Sequence, residues 1–408
     1  MLGALWDRTA QARWFSGRSR GARPAGFEML EWVREPGKKP GIRPATLTVA
    51  YPDRSLEHYF IPLVFRKSGH KVPDELFQLK IADSRYSVGE LVEDPEAAAL
   101  LLDALADNVG GLEAVTGIPR GLPAHKYEGE QSNTTLFFGD QLLAKLFRRL
   151  EPGRNPDIEL HEALRGSGVV AELYGTWRHD DLDLAIFQEA LPDPQDGYVL
   201  ACRYVRKQRS FAEHAHALGD ALAKIHQALA ANLPTSVITV EEIVAGCVER
   251  YEAAAAEIPE LADLGNVILP VLQGAGSGEV TVQRIHGDCH LGQVLLSDGS
   301  WCYVDFEGEP LKSIRERRLP DTPWRDVAGM LRSFAYAAAS SKGDHSSWLQ
   351  ESSEAFLDGY GANQGLDASL LAALELDKAI YETVYESRNR PAWRQVPLNF
   401  IERLAKEQ

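Results

Sequence analysis

The amino-acid sequence predicts an α+β protein whose first half is rich in strands and whose second half is mainly helical. Short runs rich in β-branched and aromatic residues, separated by turn residues, recur up to about residue 191. Beyond residue 200, long alanine-rich segments with amphipathic spacing predominate. The turn-rich segment LPDPQDG (191–197) separates the two patterns, so we place the main boundary there.

The elements of the first half follow from periodicity and from turn residues. The predicted elements are strands at 45–53 and 57–65, a helix at 91–115, two strands within 134–150, a short helix at 155–168 and a buried strand at 182–191. Gly139-Asp140 joins the two strands as a hairpin signal. Gly110-Gly111 interrupts the helical pattern of 91–115.

The second half contains predominantly helical patterns. The predicted helices lie at 211–232, 240–258, 325–341, 346–360 and 367–389. Strand-like runs are limited to WCYVDFE (301–307) and the residues before His286. We therefore predict three domains, at 1–90, 91–191 and 192–408.

Composition excludes some classes of function. With 408 residues the chain can bury several cores without disulfides or metal ions. Its formal charge of −16 argues against general binding to nucleic acid or anionic membranes, which require basic surface. Its four cysteines form no C-x-x-C pair, as in reduced intracellular proteins. The sequence has no apolar run of the ~20 residues that cross a membrane and no signal-peptide core, so we expect a cytoplasmic protein.

The segment IHGDCHLGQVL (285–295) carries the most informative polar residues. His286, Asp288 and His290 are spaced two apart, with Cys289 among them. A zinc site is one interpretation, but the second ligand pair that such sites usually need is absent from the sequence. A cysteine nucleophile is another, but adjacent residues rarely reach the required geometry with a histidine base.

A phosphotransfer loop accounts for more of these residues. Protein kinases use H-R-D-x-x-x-x-N, and His286, Asp288 and Gln293 have the same spacing. In VDFEGEP, Asp305 follows a predicted strand, as the aspartate of the D-F-G element does. We predict Asp288, with His286, as the catalytic pair. Gln293, Asp305 and Glu307 are the predicted oxygen ligands of Mg²⁺.

The first half offers groups for ATP. Lys145 lies on a predicted strand, like the phosphate-pairing lysine of kinases, and Glu159 is its predicted partner, with Glu162 as a rival. A polar turn can bind phosphates, and the backbone of a hinge strand can pair with adenine. The turn and hinge residues predicted to bind nucleotide are Gln131, Ser132, Asn133, Thr134, Gln188 and Ala190.

These motifs together resemble the actinobacterial maltokinase family and the related glucosamine kinases, within the aminoglycoside-phosphotransferase-like group. The resemblance covers about residues 5–400 and includes QSNTT, IHGDCHLGQVL, VDFEGEP, PWRDVAG and YESRNRPAW. It implies a bilobal protein-kinase-like fold, with 1–90 as an N-terminal cap, 91–191 as the ATP-side lobe and 192–408 as the helical lobe. It also implies ATP and Mg²⁺ as cofactors. Gln293 departs from the asparagine usual in that group, but it keeps the amide oxygen.

The sugar site is predicted on the last long helix. Glu382 and Glu386, like Tyr381 and Tyr385, are four residues apart and share one helical stripe. A helix end stabilised by salt bridges would have the same pattern. The predicted substrate-binding residues are His290, Glu382, Tyr385, Glu386, Arg390 and Trp393.

The acceptor follows from the resemblance and stays open. Maltose, phosphorylated at its anomeric hydroxyl, is our preferred acceptor, and glucosamine, phosphorylated at its 6-hydroxyl, is the alternative. A non-catalytic kinase-like protein that only binds nucleotide is the alternative of another class. We expect a small-molecule sugar as partner, no nucleic acid or membrane, and a monomer, with a weak dimer as the other possibility.

Overall fold

The protein divides into two compact units. The computed structural model describes residues 1–70, 72–129, 132–309, 312–361 and 368–407. The first unit is Met1–Glu162 with Ala171–Pro192, and the second is Ala163–Val170 with Asp193–Gln408. The last segment of the first unit ends at Pro192, within the LPDPQDG segment, and all later residues belong to the second unit.

The first unit is built mainly from strands. Its helices are α1 (Leu2–Gln11), α2 (Pro95–Ala106) and α3 (Pro156–Ala163). Its strands are β1 (Arg23–Met29), β2 (Gly41–Ala50), β3 (Leu56–Lys67), β4 (Phe77–Ile81), β5 (Ser84–Glu90), β6 (Leu112–Ala114), β7 (Ala124–Lys126), β8 (Thr134–Phe138), β9 (Leu142–Leu146), β10 (Arg149–Leu150), β11 (Leu173–His179) and β12 (Leu182–Glu189).

The first sheet has the order β1-β2-β3-β5-β4, with β10 paired to β3. Strand β2 overlaps the run predicted at 45–53 but ends at Ala50, and β3 contains the run predicted at 57–65; the two pair antiparallel from Gly41↔Phe65 to Ala50↔Leu56. Leu47 and Tyr59 are buried with Leu5 of α1 in one core. This packing lets the sheet bury one apolar face under the N-terminal helix.

The second sheet has the order β6-β11-β12-β9-β8-β7. The hairpin predicted within 134–150 is formed by β8 and β9, which pair from Thr134↔Leu146 to Phe138↔Leu142. Helix α2 is shorter than the predicted 91–115. It begins at Pro95 because the Asp94 side chain accepts a hydrogen bond from the Ala97 N–H at 3.1 Å and caps it.

A buried ion pair connects the two sheets of this unit. Arg148 and Glu90 are each 2 % exposed, and Arg148 Nη2 lies 2.5 Å from Glu90 Oε1. Arg148 Nε donates to Thr134 Oγ1 at 2.7 Å, and its Nη1 donates to the Phe60 carbonyl at 3.2 Å. A buried guanidinium needs such partners, because unpaired buried charge is very costly.

The second unit is mainly helical. Its helices are α4 (Gly197–Arg206), α5 (Ala212–Asn232), α6 (Val240–Glu257), α7 (Pro259–Asp263), α8 (Gly265–Gln273), α9 (Ile314–Arg317), α10 (Trp324–Ala339), α11 (Ser346–Tyr360), α12 (Ala368–Asn389) and α13 (Gln395–Glu407). Its strands are β13 (Gln195–Asp196), β14 (Ser236–Thr239), β15 (Glu279–Val282), β16 (Val294–Ser297) and β17 (Ser300–Tyr303).

Two sets of helix contacts organise this unit, one around α12 and one between α5 and α11. Helix α12 packs against α6, α8, α10 and α13, so it lies at the centre of the helical layer. Helices α5 and α11 approach closely at Gly219, where an added Cβ would lie 2.1 Å from the Phe356 carbonyl oxygen. In the part of the chain that the structure describes, no helix has the length and apolar character to traverse a bilayer.

The strands of the second unit present the loops of interest. The run predicted before His286 is β15, which pairs with β14. The strand predicted at 301–307 ends at Tyr303 as β17, and it pairs with β16. Strand β16 was not predicted from the sequence. Residues 285–293 lie between β15 and β16, and Asp305 lies just beyond β17.

Candidate active site

Asp326, near the start of α10, fixes the segment that follows β15. Its Oδ2 accepts hydrogen bonds from the His286 N–H at 2.7 Å and from His226 Nε2 at 3.0 Å, and its Oδ1 accepts from the Gly287 N–H at 2.9 Å. Burial acts to raise the pKa of Asp326, but the hydrogen bond and charge of His226 help to lower it overall. The loop is therefore anchored to an ionised, buried carboxylate.

His286 positions the loop rather than facing a ligand. It is 1 % exposed, its Nε2 donates to the Val304 carbonyl at 3.1 Å, and its Nδ1 accepts from the Asp288 N–H at 3.3 Å. Burial lowers its pKa, so the ring is neutral near pH 7. The catalytic role of His286 stays a prediction, and its described contacts hold the Asp288 backbone in place.

The structure also weakens two alternative interpretations of this segment. Both ring nitrogens of His286 are bonded to the backbone, so neither is directed at a metal ion. Cys289 is 2 % exposed, and burial raises the pKa of its thiol well above the usual value, which disfavours the thiolate that a nucleophile needs. Zinc ligation by His286 and nucleophilic attack by Cys289 therefore have no support in this geometry.

Asp288 opens onto a cavity and is paired with a lysine. Lys378 Nζ lies 3.4 Å from Asp288 Oδ1, and His290 Nε2 lies 3.7 Å from Asp288 Oδ2. His290 Nδ1 accepts from the Gly292 N–H at 3.0 Å, so its Nε2 carries the proton. Burial opposes ionisation of Asp288, but the positive charge of Lys378 and the neighbouring His290 and His286 together outweigh it and hold its pKa well below the usual value.

Three predicted metal ligands lie together, Gln293 just before β16 and Asp305 and Glu307 just after β17. Gln293 Nε2 is 3.3 Å from Asp305 Oδ2, and carboxylate oxygens of Asp305 and Glu307 lie within 4.8 Å of each other. Asp305 has φ +63°, a left-handed conformation that is uncommon for a residue other than glycine and is found at functional sites. Hard oxygen donors at this spacing fit a divalent cation such as Mg²⁺.

A cavity of about 500 Å³ extends from Asp288 along α12. All six predicted substrate-binding residues line it. The other residues around it are Asp196, Tyr198, Val199, Asp288, Gly292, Gly329, Ser333, Tyr336, Lys378 and Tyr381. Sequence reasoning missed Lys378, although it precedes Tyr381 and Glu382 by three and four residues and so shares their helical stripe.

Aromatic pairs and neutralised carboxylates form the cavity wall. The rings of Tyr336 and Trp393 stack with centroids 6.1 Å apart and planes 18° apart. Arg332 Nη2 lies 2.8 Å from Glu382 Oε2, and Arg390 Nη2 lies 2.5 Å from Glu386 Oε1. Flat rings beside hydrogen-bonding groups are suited to a sugar, which has an apolar C–H face and polar hydroxyls.

The first unit contains the predicted nucleotide-binding residues. Lys145 Nζ lies 2.9 Å from Asp157 Oδ2, and His161 Nδ1 lies 3.2 Å from Asp157 Oδ1. Burial opposes ionisation of Asp157, but the charge of Lys145 and the His161 contact lower its pKa strongly. The ion partner that this contact identifies is Asp157, which we did not predict. The role of Glu159, two residues along the same helix, stays a prediction.

The predicted phosphate-binding turn makes structural contacts of its own. Asn133 Oδ1 accepts from the Arg148 N–H at 3.2 Å, and Thr134 Oγ1 accepts from Arg148 Nε at 2.7 Å. Ser132 is exposed. Gln131 lies outside the described residues. The side chains of Asn133 and Thr134 therefore support the buried arginine, which the sequence did not indicate.

The predicted hinge is partly engaged. The Ala190 N–H donates to the Gln141 carbonyl at 3.0 Å, so in this arrangement it is not available to an adenine ring. The Gln188 side chain is buried, and its Nε2 donates to His161 Nε2 at 2.6 Å. The pairing of adenine with backbone groups of Gln188 and Ala190 therefore stays a prediction, with the Ala190 N–H already bonded in this structure.

The chain is similar in sequence to known sugar kinases. Residues 10–107 match the maltokinase N-terminal cap domain. The chain is 26% identical over 344 residues to a glucosamine kinase from Mycolicibacterium smegmatis, covering 74% of this chain and 86% of the relative. A glucosamine kinase from Streptacidiphilus jiangxiensis is 27% identical over 346 residues, covering 74% of this chain and 78% of that protein.

Solved structures show the same fold. A glucosamine kinase in complex with glucosamine, ADP and inorganic phosphate superposes with a TM-score of 0.71 at 24% identity, covering 98% of this chain and 99% of that chain. A second crystal form of glucosamine kinase has a TM-score of 0.73 at 23% identity, with the same coverage. The predicted α+β kinase-like fold is thereby confirmed.

The fold and its relatives define the class of this protein as a phosphotransferase with an alcohol group as acceptor, of the sugar-kinase type. More particularly, the chain carries a maltokinase N-terminal cap domain and is a relative of the glucosamine kinases, as its motifs indicated.

Proposed function

We propose that this protein transfers the γ-phosphoryl group of ATP to a hydroxyl of glucosamine. The observation that carries the proposal is the charge of the cavity beside Asp288. Asp196, Asp288, Glu382 and Glu386 contribute four carboxylates, against three cations: Lys378 and Arg390 in the lining, and Arg332, which pairs with Glu382. A net negative cavity favours an ammonium sugar over a neutral one.

The two curated relatives support the same choice, since both are glucosamine kinases. Maltose, our preferred acceptor at first, is the second candidate, and the match to the maltokinase cap domain favours it. That domain covers residues 10–107, whereas the cavity is lined by residues from Asp196 onward. We therefore give the cavity more weight than the cap.

The nucleotide and metal are assigned to residues that fit them. We propose that Lys145 binds the ATP phosphates and that Asp305, Gln293 and Glu307 hold Mg²⁺. The described oxygen donors fit this ion. When bound, Mg²⁺ would neutralise charge that develops on the phosphates.

The chain's own residues would act on the acceptor as follows. Asp288 accepts the proton of the acceptor hydroxyl while the hydroxyl oxygen bonds to the γ-phosphorus of ATP and ADP leaves. Asp326 and His286 hold the loop that carries Asp288. Stacked Tyr336 and Trp393 offer a flat surface to the sugar ring. Most of the catalysis therefore comes from positioning and charge.

The acceptor is tested by ADP release with Mg-ATP and a panel of glucosamine, maltose, glucose and an aminoglycoside, with the phosphate position read by NMR. Turnover that is fastest on glucosamine supports the proposal. Fastest turnover on maltose transfers the assignment to the second candidate. Nucleotide binding without turnover on the panel would instead support the non-catalytic alternative.

The role of Asp288 is tested by Asp288→Asn, which removes the proton acceptor but keeps the side-chain shape. We expect kcat to fall by about 10²–10⁴-fold while ATP still binds. Asp298→Asn is the matched control, because Asp298 is exposed in a turn with φ +48°, which asparagine also adopts. Substantial turnover retained by Asp288→Asn would exclude Asp288 as the base.

The cytoplasmic location and the monomeric state stay predictions.

A further inference from the structure

We infer that Lys378, fixed by Glu309, is a positioning residue for phosphoryl transfer that keeps Asp288 ionised and leaves one of its oxygens directed to the acceptor. This inference rests on the proposed function, because Lys378 would act through the proposed base. Lys378 lies on α12, outside the motifs of the sequence, and Glu309 is the second glutamate of VDFEGEP, to which the sequence analysis gave no role.

The distances show which carboxylate holds the lysine. Lys378 Nζ lies 2.6 Å from Glu309 Oε1 but 3.4 Å from Asp288 Oδ1. Glu309 is 6 % exposed, and its other oxygen, Oε2, lies 2.8 Å from Lys312 Nζ. Lys378 also lies over the Tyr381 ring, 4.9 Å from its centroid. These contacts fix the ammonium group from several sides.

In this arrangement the positive charge of Lys378 stabilises ionised Asp288 without a short hydrogen bond between them. A charge-assisted N–H···O bond is typically about 2.7–2.9 Å long. The 2.6 Å contact of Lys378 with Glu309 is as short as such a bond, whereas its 3.4 Å contact with Asp288 is longer. The longer contact with Asp288 supplies electrostatic stabilisation while leaving lone pairs of its carboxylate for an acceptor hydroxyl. A direct short pair with Lys378 would compete with that hydroxyl. Glu309 therefore serves to hold Lys378 away from the base.

The groups that face Asp288 set the expected pH dependence. They are Lys378 and Tyr381 from α12, and His290 and His286 from its own loop, with Glu309 behind Lys378. Burial acts to raise the pKa of Asp288, and the charge of Lys378 is the largest opposing effect. Without that charge the pKa of Asp288 rises, and the base becomes protonated at higher pH.

The experiment compares Lys378→Met, Lys378→Arg and Glu309→Gln with the wild-type protein. For Lys378→Met we expect kcat to fall by about 10²-fold. The acid limb of its kcat–pH profile should move up by roughly one to three pH units. Lys378→Arg should keep the limb near its wild-type position, and KM for ATP should stay within about twofold in all three variants. Lys224→Met is the control, because Lys224 is 55% exposed on α5 and pairs only with its helix neighbour Asp220 among the contacts described.

A second measurement does not depend on the acceptor. In protein labelled with ¹³C at aspartate carboxyl carbons, the Asp288 signal is identified by its loss in Asp288→Asn. Its titration midpoint should rise in folded Lys378→Met. An unchanged midpoint would overturn the inference, even if turnover were lost. Absence of sugar turnover in the wild-type protein, with a raised midpoint in the variant, would overturn the proposed function but support the effect of Lys378 on Asp288.

Discussion

Replacing Asp326 by asparagine should destabilise the second unit by several kilocalories. The carboxylate accepts from three donors, the N–H groups of His286 and Gly287 and Nε2 of His226. Asparagine has one oxygen, so at least one buried donor loses its acceptor, which costs about 1–3 kcal/mol. The other two bonds lose their ionic character, which adds about 1–2 kcal/mol. We expect the free energy of unfolding to fall by about 2–5 kcal/mol in total.

Urea denaturation monitored by circular dichroism measures this change. Asp220→Asn is the control, because Asp220 is 52% exposed and its loss should cost less than about 1 kcal/mol. Because the pKa of Asp326 is lowered in the folded protein, its ionised form stabilises the fold above about pH 4. The gap between wild type and Asp326→Asn should therefore shrink as the pH falls below that value. A destabilisation no larger than that of the control would refute the role assigned to Asp326.

Two further predictions concern buried charges. Arg148→Met should lower the free energy of unfolding of the first unit by about 3 kcal/mol, because Glu90 loses a buried partner. Arg120→Met, at an exposed pair, is the control and should change it by less than about 1 kcal/mol. Equal effects of the two substitutions in urea titrations would contradict this prediction. Burial raises the pKa of Glu375 to about 7 against the positive charge of Arg332. A carboxyl group with a raised pKa destabilises the fold once the pH exceeds its pKa in the unfolded chain. Glu375→Gln should therefore be more stable than the wild-type protein at pH 8 but not at pH 4. Equal melting temperatures of the two proteins at pH 8 would contradict this prediction.

Local patterns predicted much of this fold. Gly139-Asp140 between two apolar runs was sufficient to predict the β8–β9 hairpin, because turn chemistry acts over a few residues. The spacing of Asp288 and Gln293 placed both in one loop for the same reason. The six predicted substrate-binding residues line one cavity, since five of them come from a single helix and the turn after it.

Residues whose role depends on distant partners were not predicted. Lys378 and Arg148 resemble solvated lysine and arginine in the sequence, and their buried partners Glu309 and Glu90 lie 69 and 58 positions away. Glu159, with Glu162 as a rival, was the predicted partner of Lys145, and the contact with Asp157 was not foreseen, because the sequence does not fix the rotation of α3. The hydrogen bond from the Ala190 N–H to the Gln141 carbonyl was not predicted, because the two residues lie in different segments of the sequence.

Helix α12 joins two tasks in one rigid element. Lys378, which adjusts the proposed base, and Glu382 and Glu386, which line the cavity, lie on successive turns of the same 22-residue helix. A ligand that rotates or slides this helix therefore also moves the ammonium group relative to Asp288. An acceptor of the wrong shape would then occupy the cavity but displace the Lys378 ammonium group from its position beside Asp288. Discrimination between sugars would then be visible in turnover more than in affinity, and laboratory selection for new acceptors should yield substitutions along α12 that alter both properties together.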